Sequence, residues 1–372
     1  MKKHFFLFVI LLVSFFTQAD QKNEASKKRV AVVISGYANN GNPALSYDQE
    51  ELAQSYLILN DNGVAIDIVT PNGGPVLVKN NKDHVDFIKR FKQSTIALNQ
   101  LKNTLSAEKA VQNQYDAIFI VGGDGAMFDL PEHKQTQSFI SKFVNSNLPL
   151  AAVCHGPAAI VNIKLTDGRY FVEGKRVNSF TKVEDYAFKK EHVEAYPFIL
   201  QSELEQRGAM FESNSPMLPY VAIDGNLITA QNPMSVAKAA EALLLKIGIT
   251  PKTRTLFKDE ATFELLSRAY KEGTYLIDLE LERNSNRFDL NYMAVYGYYA
   301  FKIAETEQQK LTELAMMTQI RDHVVSLHPR YQLALISANL ELGLKNQAKV
   351  EYEWLKQNLP KVEMPELLLK QI

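Results

Sequence analysis

The chain has 372 residues, of which 46% are hydrophobic and 22% charged, and its formal net charge at pH 7 is −1. Acidic and basic residues are well mixed, so the composition argues against nucleic acid or an anionic membrane as a partner. The chain is too long for one average hydrophobic core, and we therefore expect a main domain plus a second module.

The first residues predict a secretory signal peptide over 1–19. Two lysines precede an apolar run from Phe5 to Phe16, and Thr17-Gln18-Ala19 then fits the small-x-small rule for cleavage. The run is shorter than the about 20 apolar residues of a spanning helix, and Asp20 stands where a lipoprotein needs cysteine. We expect cleavage before Asp20 and a soluble, exported, periplasmic protein; an uncleaved N-terminal anchor is the alternative.

After a polar leader at 20–28, short apolar segments alternate with helical patterns as far as residue 247. Such segments are typical of strands covered on both faces, and the spacing leaves room for crossover helices. This predicts a doubly wound α/β domain over 29–247, with ligands at the carboxyl ends of its strands. The segments are RVAVVIS (29–35), AIDIVT (65–70), AIFIVGG (117–123), LAAVCHG (150–156) and YVAIDGNLITA (220–230).

Residues 250–372 have a different character, with leucine, tyrosine and alanine at helical spacing. We predict a small α-helical C-terminal module there. The segment after His328 resembles a tetratricopeptide-type hairpin; helices that only pad the main domain are the alternative. The positions that match the hairpin pattern are Leu335, Leu342-Gly343, Ala348, Tyr352, Leu355 and Pro360.

Cys154 is the only cysteine, so it is either a buried apolar filler or a reactive thiol. It ends an apolar strand, and His155, Gly156 and Pro157 follow it directly. This pattern predicts a nucleophile elbow, in which a sharp strand-to-helix turn carries the sulfur. The amino end of the following helix would stabilise a thiolate, so we expect a lowered pKa for Cys154.

A second glycine-rich turn, Gly122-Gly123, follows the preceding strand. Glycines allow the backbone to come close to a ligand. We predict that the N–H groups of Gly123 and His155 form an oxyanion hole for a substrate oxygen, with Gly122 beside them. A plain turn without function is the alternative.

Four of the motifs together carry a family resemblance over about 29–245. They resemble the ThiJ/PfpI superfamily, the flavodoxin-like branch of the class I glutamine amidotransferase-like folds, and most closely its glyoxalase III-type chaperones. The resemblance implies a flavodoxin-like, mostly parallel sheet with helices on both faces, and it does not reach the helical module. The motifs are GGDGAMFDLP, AVCHGP, GKRVNSFTKVED and DGNLITAQNPMS.

The resemblance also implies two acidic site residues. Glu51, in EELAQSY, matches a glutamate that touches the cysteine sulfur, although Ser55 stands in place of the family's proline. His155 matches the family's histidine, and an acidic residue after Phe180 orients it; we choose Asp185, with Glu184 as the alternative. A carboxyl group beside a thiolate has a raised pKa and can move a proton on the substrate.

The chain departs from the family at Asp124, where a histidine is common, and at Ser179 and Ala230, which replace glycines. These changes leave the nucleophile and its partners in place, but they bear on substrate preference. The histidines form no His-x-x-His or Glu-x-x-His cluster and the glycine turn lacks the dinucleotide fingerprint. We therefore expect neither a metal nor another cofactor.

The leading hypothesis is a cofactor-independent enzyme of the glyoxalase III type, a lyase of the D-lactate dehydratase kind. It would convert a small 2-oxoaldehyde such as methylglyoxal to a 2-hydroxy acid through a hemithioacetal on Cys154. A peptidase or amidase using the same cysteine is one alternative, and a stress-related holdase with Cys154 as a redox sensor is the other. Beside the small carbonyl substrate, a homodimer and a protein partner at the helical module are further expectations.

Overall fold

The computed structural model describes residues 27–79, 82–324 and 328–372. The predicted signal peptide and most of the polar leader lie outside the described residues. An α/β part comes first along the chain, and a helical part follows it.

The strands of the α/β part are short and close to the predicted segments. They are β1 (Arg29–Val33), β2 (Ala65–Thr70), β3 (Leu105–Ser106), β4 (Ala117–Ile120), β5 (Leu150–Val153), β6 (Arg176–Val177), β7 (Met210–Phe211), β8 (Val221–Asp224) and β9 (Leu227–Ala230). In the part of the chain that the structure describes, seven of them form one sheet in the order β3-β2-β1-β4-β5-β9-β8, and β6 pairs with β7. All neighbours in the large sheet are parallel except β8 and β9.

The segment 220–230, predicted as a single strand, is instead a hairpin of β8 and β9. The two strands pair antiparallel, with Val221 opposite Ala230. Gly225 has a φ of 58°, a left-handed conformation that glycine adopts without steric cost. An Asp-Gly-Asn sequence between two apolar segments is a strong turn signal, so the chain reverses there.

Helices cover both faces of the sheet, as the doubly wound prediction requires. They are α1 (Gln49–Asp61), α2 (Asp86–Gln93), α3 (Thr95–Lys102), α4 (Ala107–Ala110), α5 (Ala126–Asp129), α6 (Lys134–Asn145), α7 (Lys182–Phe188), α8 (Leu200–Gln206) and α9 (Val236–Lys246). Successive strand residues point to opposite faces. Val30 and Val32 therefore pack into one core with α1 and α9, while Ala31 and Val33 pack into the other with α6.

The rest of the chain is helical, as predicted, and it builds a third apolar core. Its helices are α10 (Lys258–Glu272), α11 (Leu276–Asn284), α12 (Leu290–Ile303), α13 (Glu307–His323), α14 (Pro329–Glu341), α15 (Lys345–Asn358) and α16 (Glu366–Leu369). Helices α14 and α15 pack on each other across Gly343, which has a φ of 71°. Among the described residues, no helix combines the length and apolar character needed to cross a membrane.

Buried polar contacts join the helical part to α1. The Gln54 side-chain amide donates to Asp259 at 2.6 Å, and the Tyr292 hydroxyl donates to Glu50 at 2.5 Å. Met217 and Leu218 of the α/β part also lie within the third core. The helical part is therefore packed directly against the helix that carries Glu51.

Asp259 makes the stability of this junction depend on pH. Burial, and next the nearby charge of Glu50, raise the pKa of Asp259 from 3.8 to about 7. Between these two values the folded protein binds more protons than the unfolded chain, so stability falls as pH rises towards 7. Between pH 5 and pH 8 we expect Asp259→Asn to remove roughly 3 kcal/mol of this pH dependence, about 1.4 kcal/mol for each of the roughly two pH units below the raised pKa of about 7.

Urea unfolding at pH 5 and at pH 8 measures the effect. Asp322→Asn, at an exposed position of α13, is the matched control and should behave as the wild type. Other buried acids contribute the dependence that remains, among them Glu313 and Asp129, whose pKa values burial raises to about 7 and about 6. An unchanged pH dependence in Asp259→Asn would contradict the assignment.

Candidate active site

Cys154 lies at the carboxyl end of β5 in a strained backbone conformation. Its φ is 56°, which an L-residue with a side chain seldom adopts. Hydrogen bonds hold the peptide groups on both sides: the Cys154 N–H donates to the Ala230 carbonyl at 2.8 Å, and its carbonyl accepts from the Phe180 N–H at 2.9 Å. The sharp turn predicted from Cys-His-Gly-Pro is therefore present, and the short 3₁₀-helix Gly156–Ile160 follows it.

The paired glycines are needed because the turn after β4 presses against this elbow. A Cβ atom on Gly122 would lie 2.6 Å from the His155 nitrogen and 2.9 Å from the Cys154 Cβ. Gly123 has a φ of 92°, and a Cβ there would meet the Asp48 nitrogen at 2.4 Å. Any other residue at these positions would displace the backbone that carries the sulfur.

Glu51 stands in the first turn of α1, which Asp48 caps by accepting from the N–H groups of Glu50 and Glu51 at 2.9 and 3.1 Å. The Glu51 side chain is fully buried, and its Oε2 accepts from the Gly122 N–H at 2.7 Å. The same carboxyl group interacts with the Cys154 thiol. In the described part of the chain, Glu51 Oε1 has no hydrogen-bond partner.

His155 connects the sulfur to Asp185 on α7. Its Nε2 lies 2.8 Å from Asp185 Oδ1, its Nδ1 lies 3.7 Å from Cys154 Sγ, and both side chains are fully buried. An Nε2–H donated to Asp185 leaves Nδ1 as an acceptor facing the thiol. The alternative, Glu184, accepts instead from the N–H groups of Thr181 and Met217, at 3.0 and 2.8 Å.

The structure thus brings Cys154, His155, Glu51 and Asp185 together, but it changes the expected ionisation of the thiol. Burial, reinforced by the Glu51 charge, raises the pKa of Cys154, whereas the sequence analysis expected a lowered one. The 3₁₀-helix after it has only five residues, which is too short for a strong dipole, and Cys154 is only 3% exposed. Burial and next the Asp48 charge also raise the pKa of Glu51, so this buried pair resists losing both protons.

The two N–H groups predicted to form the oxyanion hole make no hydrogen bond within the described part of the protein, whereas that of Gly122 beside them does. Within the described residues, the N–H groups of Gly123 and His155 donate to no protein acceptor. The Gly122 N–H is already donated to Glu51, so Gly122 positions that carboxyl group and does not serve as a substrate donor. Free donors beside a nucleophile can stabilise charge that develops on a substrate oxygen.

Asp124 belongs to a charged cluster that the sequence analysis did not predict. Its carboxylate accepts from the Tyr196 hydroxyl and from Lys189 at 3.1 Å, and His192 Nδ1 lies 3.5 Å away. Burial is the largest single effect and opposes ionisation, but Lys189, His155 and Tyr196 together outweigh it and hold the pKa of Asp124 below its usual range. The Tyr196 ring packs edge-on against His155 at 5.5 Å, so the cluster borders this histidine.

No sequence signal pointed to Lys189 and Tyr196. Lys189 and Tyr196 lie 65 and 72 positions after Asp124 in the chain. Both follow α7, in a segment without regular periodicity. The sequence singles out Asp124 only as a departure from the family pattern. In the described part of the chain, no group of three or more His, Cys, Asp or Glu side chains is placed to hold a metal ion.

Comparisons with known proteins agree with this architecture. A glutathione-independent glyoxalase of Schizosaccharomyces pombe is 33% identical over 154 residues, covering 39% of this chain and 62% of the relative. Glyoxalase 3 of Candida albicans is 30% identical over 148 residues, covering 39% of this chain and 63% of that one. The alignments thus span less than two thirds of either relative.

Among solved structures, the Rapid Encystment Protein of 24 kDa from Francisella tularensis is 29% identical, with a TM-score of 0.55. The match covers 59% of this chain and 99% of that one. The model of the DJ-1/PfpI family matches residues 44–246, more than half of the chain and all four candidate catalytic residues. On the elbow, the sheet order and this match, the protein belongs to the DJ-1/PfpI family.

Proposed function

We propose that the protein is a glutathione-independent glyoxalase that converts a small 2-oxoaldehyde such as methylglyoxal to a 2-hydroxy acid. The observation that carries the proposal is the buried constellation around Cys154, in which a thiol meets a carboxyl group and a histidine held by Asp185. Cys154 is only 3% exposed, which favours a small substrate. The two relatives named as glyoxalases support the same activity.

In the first step the thiol adds to the aldehyde carbon. The carbon–sulfur bond forms while the C=O π bond breaks, and the thiol proton moves to His155 Nδ1, 3.7 Å from the sulfur. Because the pKa of the thiol is raised, this base is needed at the moment of attack. The new oxyanion faces the N–H groups of Gly123 and His155 and takes up a proton to give the hemithioacetal.

In the second step a proton moves between the two substrate carbons. Glu51 as a carboxylate removes the proton from the carbon bonded to sulfur, giving an enediol, and returns it to the neighbouring carbon, while the proton of the hemithioacetal hydroxyl moves to the ketone oxygen. The product is a thioester of the 2-hydroxy acid, which water hydrolyses to release the acid and the thiol. Burial, and next the Asp48 charge, raise the pKa of Glu51, so its carboxyl group holds a proton more readily than an ordinary glutamate, which suits a group that carries this proton.

Methylglyoxal turnover without glutathione tests the proposal, with the 2-hydroxy acid identified as product. Mass spectrometry of protein quenched during turnover should show an adduct on the peptide that contains Cys154. Ester and amide substrates assayed in parallel address the hydrolase alternative. Rapid ester or amide cleavage without methylglyoxal turnover would replace the glyoxalase assignment with the hydrolase.

Export to the periplasm is also proposed, from the signal-peptide pattern of residues 1–19. We expect protein recovered from its native host to begin at Asp20, because small residues precede that position. N-terminal sequencing of the soluble and membrane fractions measures this. An intact Met1 in the membrane fraction would indicate the uncleaved anchor instead. The homodimer and the protein partner at the helical module stay predictions.

A further inference from the structure

A polar cleft separates the α/β part from the helical module, away from Cys154. It has a volume of about 500 Å³, within the roughly 300–1,000 Å³ of small-molecule sites. One wall comes from the start of α7 and from residues 213–216, and the other comes from α10, α12 and α13. Because this cleft needs both parts of the chain, the family fold alone does not supply it.

Glu313 on α13 is the most buried polar residue that lines the cleft. Glu313 is 4% exposed and lines the cleft. One of its oxygens accepts from the Tyr296 hydroxyl at 2.8 Å, whereas Oε2 accepts no hydrogen bond from any described residue. A buried carboxylate oxygen without a donor is costly. A ligand that donates hydrogen bonds would remove this cost.

The other residues that line the cleft indicate which chemical group the second end of the ligand carries. Lys182, at the start of α7, is exposed at the cleft and makes no ion pair among the described residues. The Ser213 and Tyr270 hydroxyl groups also line the cleft, and neither has a hydrogen-bond partner in the described part of the chain. The cleft therefore offers a buried acidic group, an unpaired cation at its rim and hydroxyl groups between the two walls.

We propose that this cleft binds a small zwitterion with the chemistry of an α-amino acid or a short peptide. The ligand's ammonium group donates to Glu313 Oε2, and its carboxylate faces Lys182. Burial raises the pKa of Glu313 to about 7, although the hydrogen bond from Tyr296 opposes this rise. A ligand ammonium beside the carboxyl group would favour its charged form. The site is separate from the proposed glyoxalase chemistry.

Calorimetric titration of the full-length mature protein with L-amino acids and dipeptides tests the proposal. We expect at least one of these probes to bind, and its N-acetyl derivative, which lacks the ammonium, to bind at least tenfold more weakly. The amide, which lacks the carboxylate, should also be weaker. These comparisons use only the wild-type protein, so they do not depend on the folding of a variant.

Variants locate the site. Glu313→Gln keeps an acceptor for Tyr296 but loses the charge, and it should weaken binding at least tenfold; Lys182→Met should weaken it and remove the preference for the free carboxylate. Glu282→Gln, an exposed position of α11, is the control with unchanged binding. Cys154→Ala should bind as the wild type, which separates this proposal from the glyoxalase assignment.

Three results would overturn the proposal: failure of every probe to bind, equal affinity for the N-acetyl derivative, or unchanged binding by Glu313→Gln.

Discussion

Cys154→Ala is expected to reduce methylglyoxal turnover to the uncatalysed background, a loss on the order of 10⁴-fold or more. The chain has no second thiol that could replace the nucleophile. His155, Glu51 and the free N–H groups would remain, but they would have no atom that forms a bond to the aldehyde carbon. Initial rates of methylglyoxal loss and of 2-hydroxy acid formation measure the effect.

The variant must be folded for this comparison, because Cys154 is a buried residue at the turn of the elbow. Circular dichroism and the midpoint of thermal unfolding provide that control. Alanine also relieves none of the backbone strain at a φ of 56°, so no gain in stability is expected from the backbone. Turnover that persists in folded Cys154→Ala would show that the sulfur is not the nucleophile.

Glu51→Gln is expected to lower turnover by at least about 10²-fold, the usual contribution of a general acid or base. Glutamine keeps an oxygen that accepts from the Gly122 N–H, so the position of the turn against the elbow is preserved. It cannot hold and release the proton that moves between the substrate carbons. The turnover number should fall while the adduct on Cys154 still forms.

Glu50→Gln is the matched control for this variant. Glu50 occupies the same helical turn, but its carboxyl group contacts Tyr292 and Lys82 at the junction with the helical part. It should leave turnover nearly unchanged. A loss in Glu50→Gln as large as that in Glu51→Gln would attribute the effect to the helix and not to proton transfer.

Asp185→Asn distinguishes a positioning role from proton transfer. An asparagine can donate to His155 Nε2, which favours the tautomer with the proton on Nδ1, the nitrogen that faces the sulfur. We expect a smaller loss than in Glu51→Gln, because the imidazole still reaches the sulfur but must first shift that proton from Nδ1 to Nε2 before it can accept from the thiol. Equal, modest losses in both variants would mean that neither carboxyl group carries the substrate's proton.

The choice between Asp185 and Glu184 illustrates how far the sequence could define the site. Neighbouring residues of a helix point in directions about 100° apart, so only one of two adjacent acids can face the histidine. The motif located both on one helix, but the packing of α7 decided which one contacts His155 and which one bonds to Met217. Lys189 and Tyr196 were missed because their contact with Asp124 joins segments far apart in the chain.

The sequence by itself determined strands β1, β2, β4 and β5, the elbow at Cys154 and the glycines beneath it, because apolar patterning and backbone permissiveness are local properties. It also showed that a helical module follows the α/β domain. Only the tertiary structure decided the ionisation of the thiol and the cleft beside Glu313. Both depend on burial, and burial arises when distant elements pack: α1 against the elbow, and the helical module against α1 and α7.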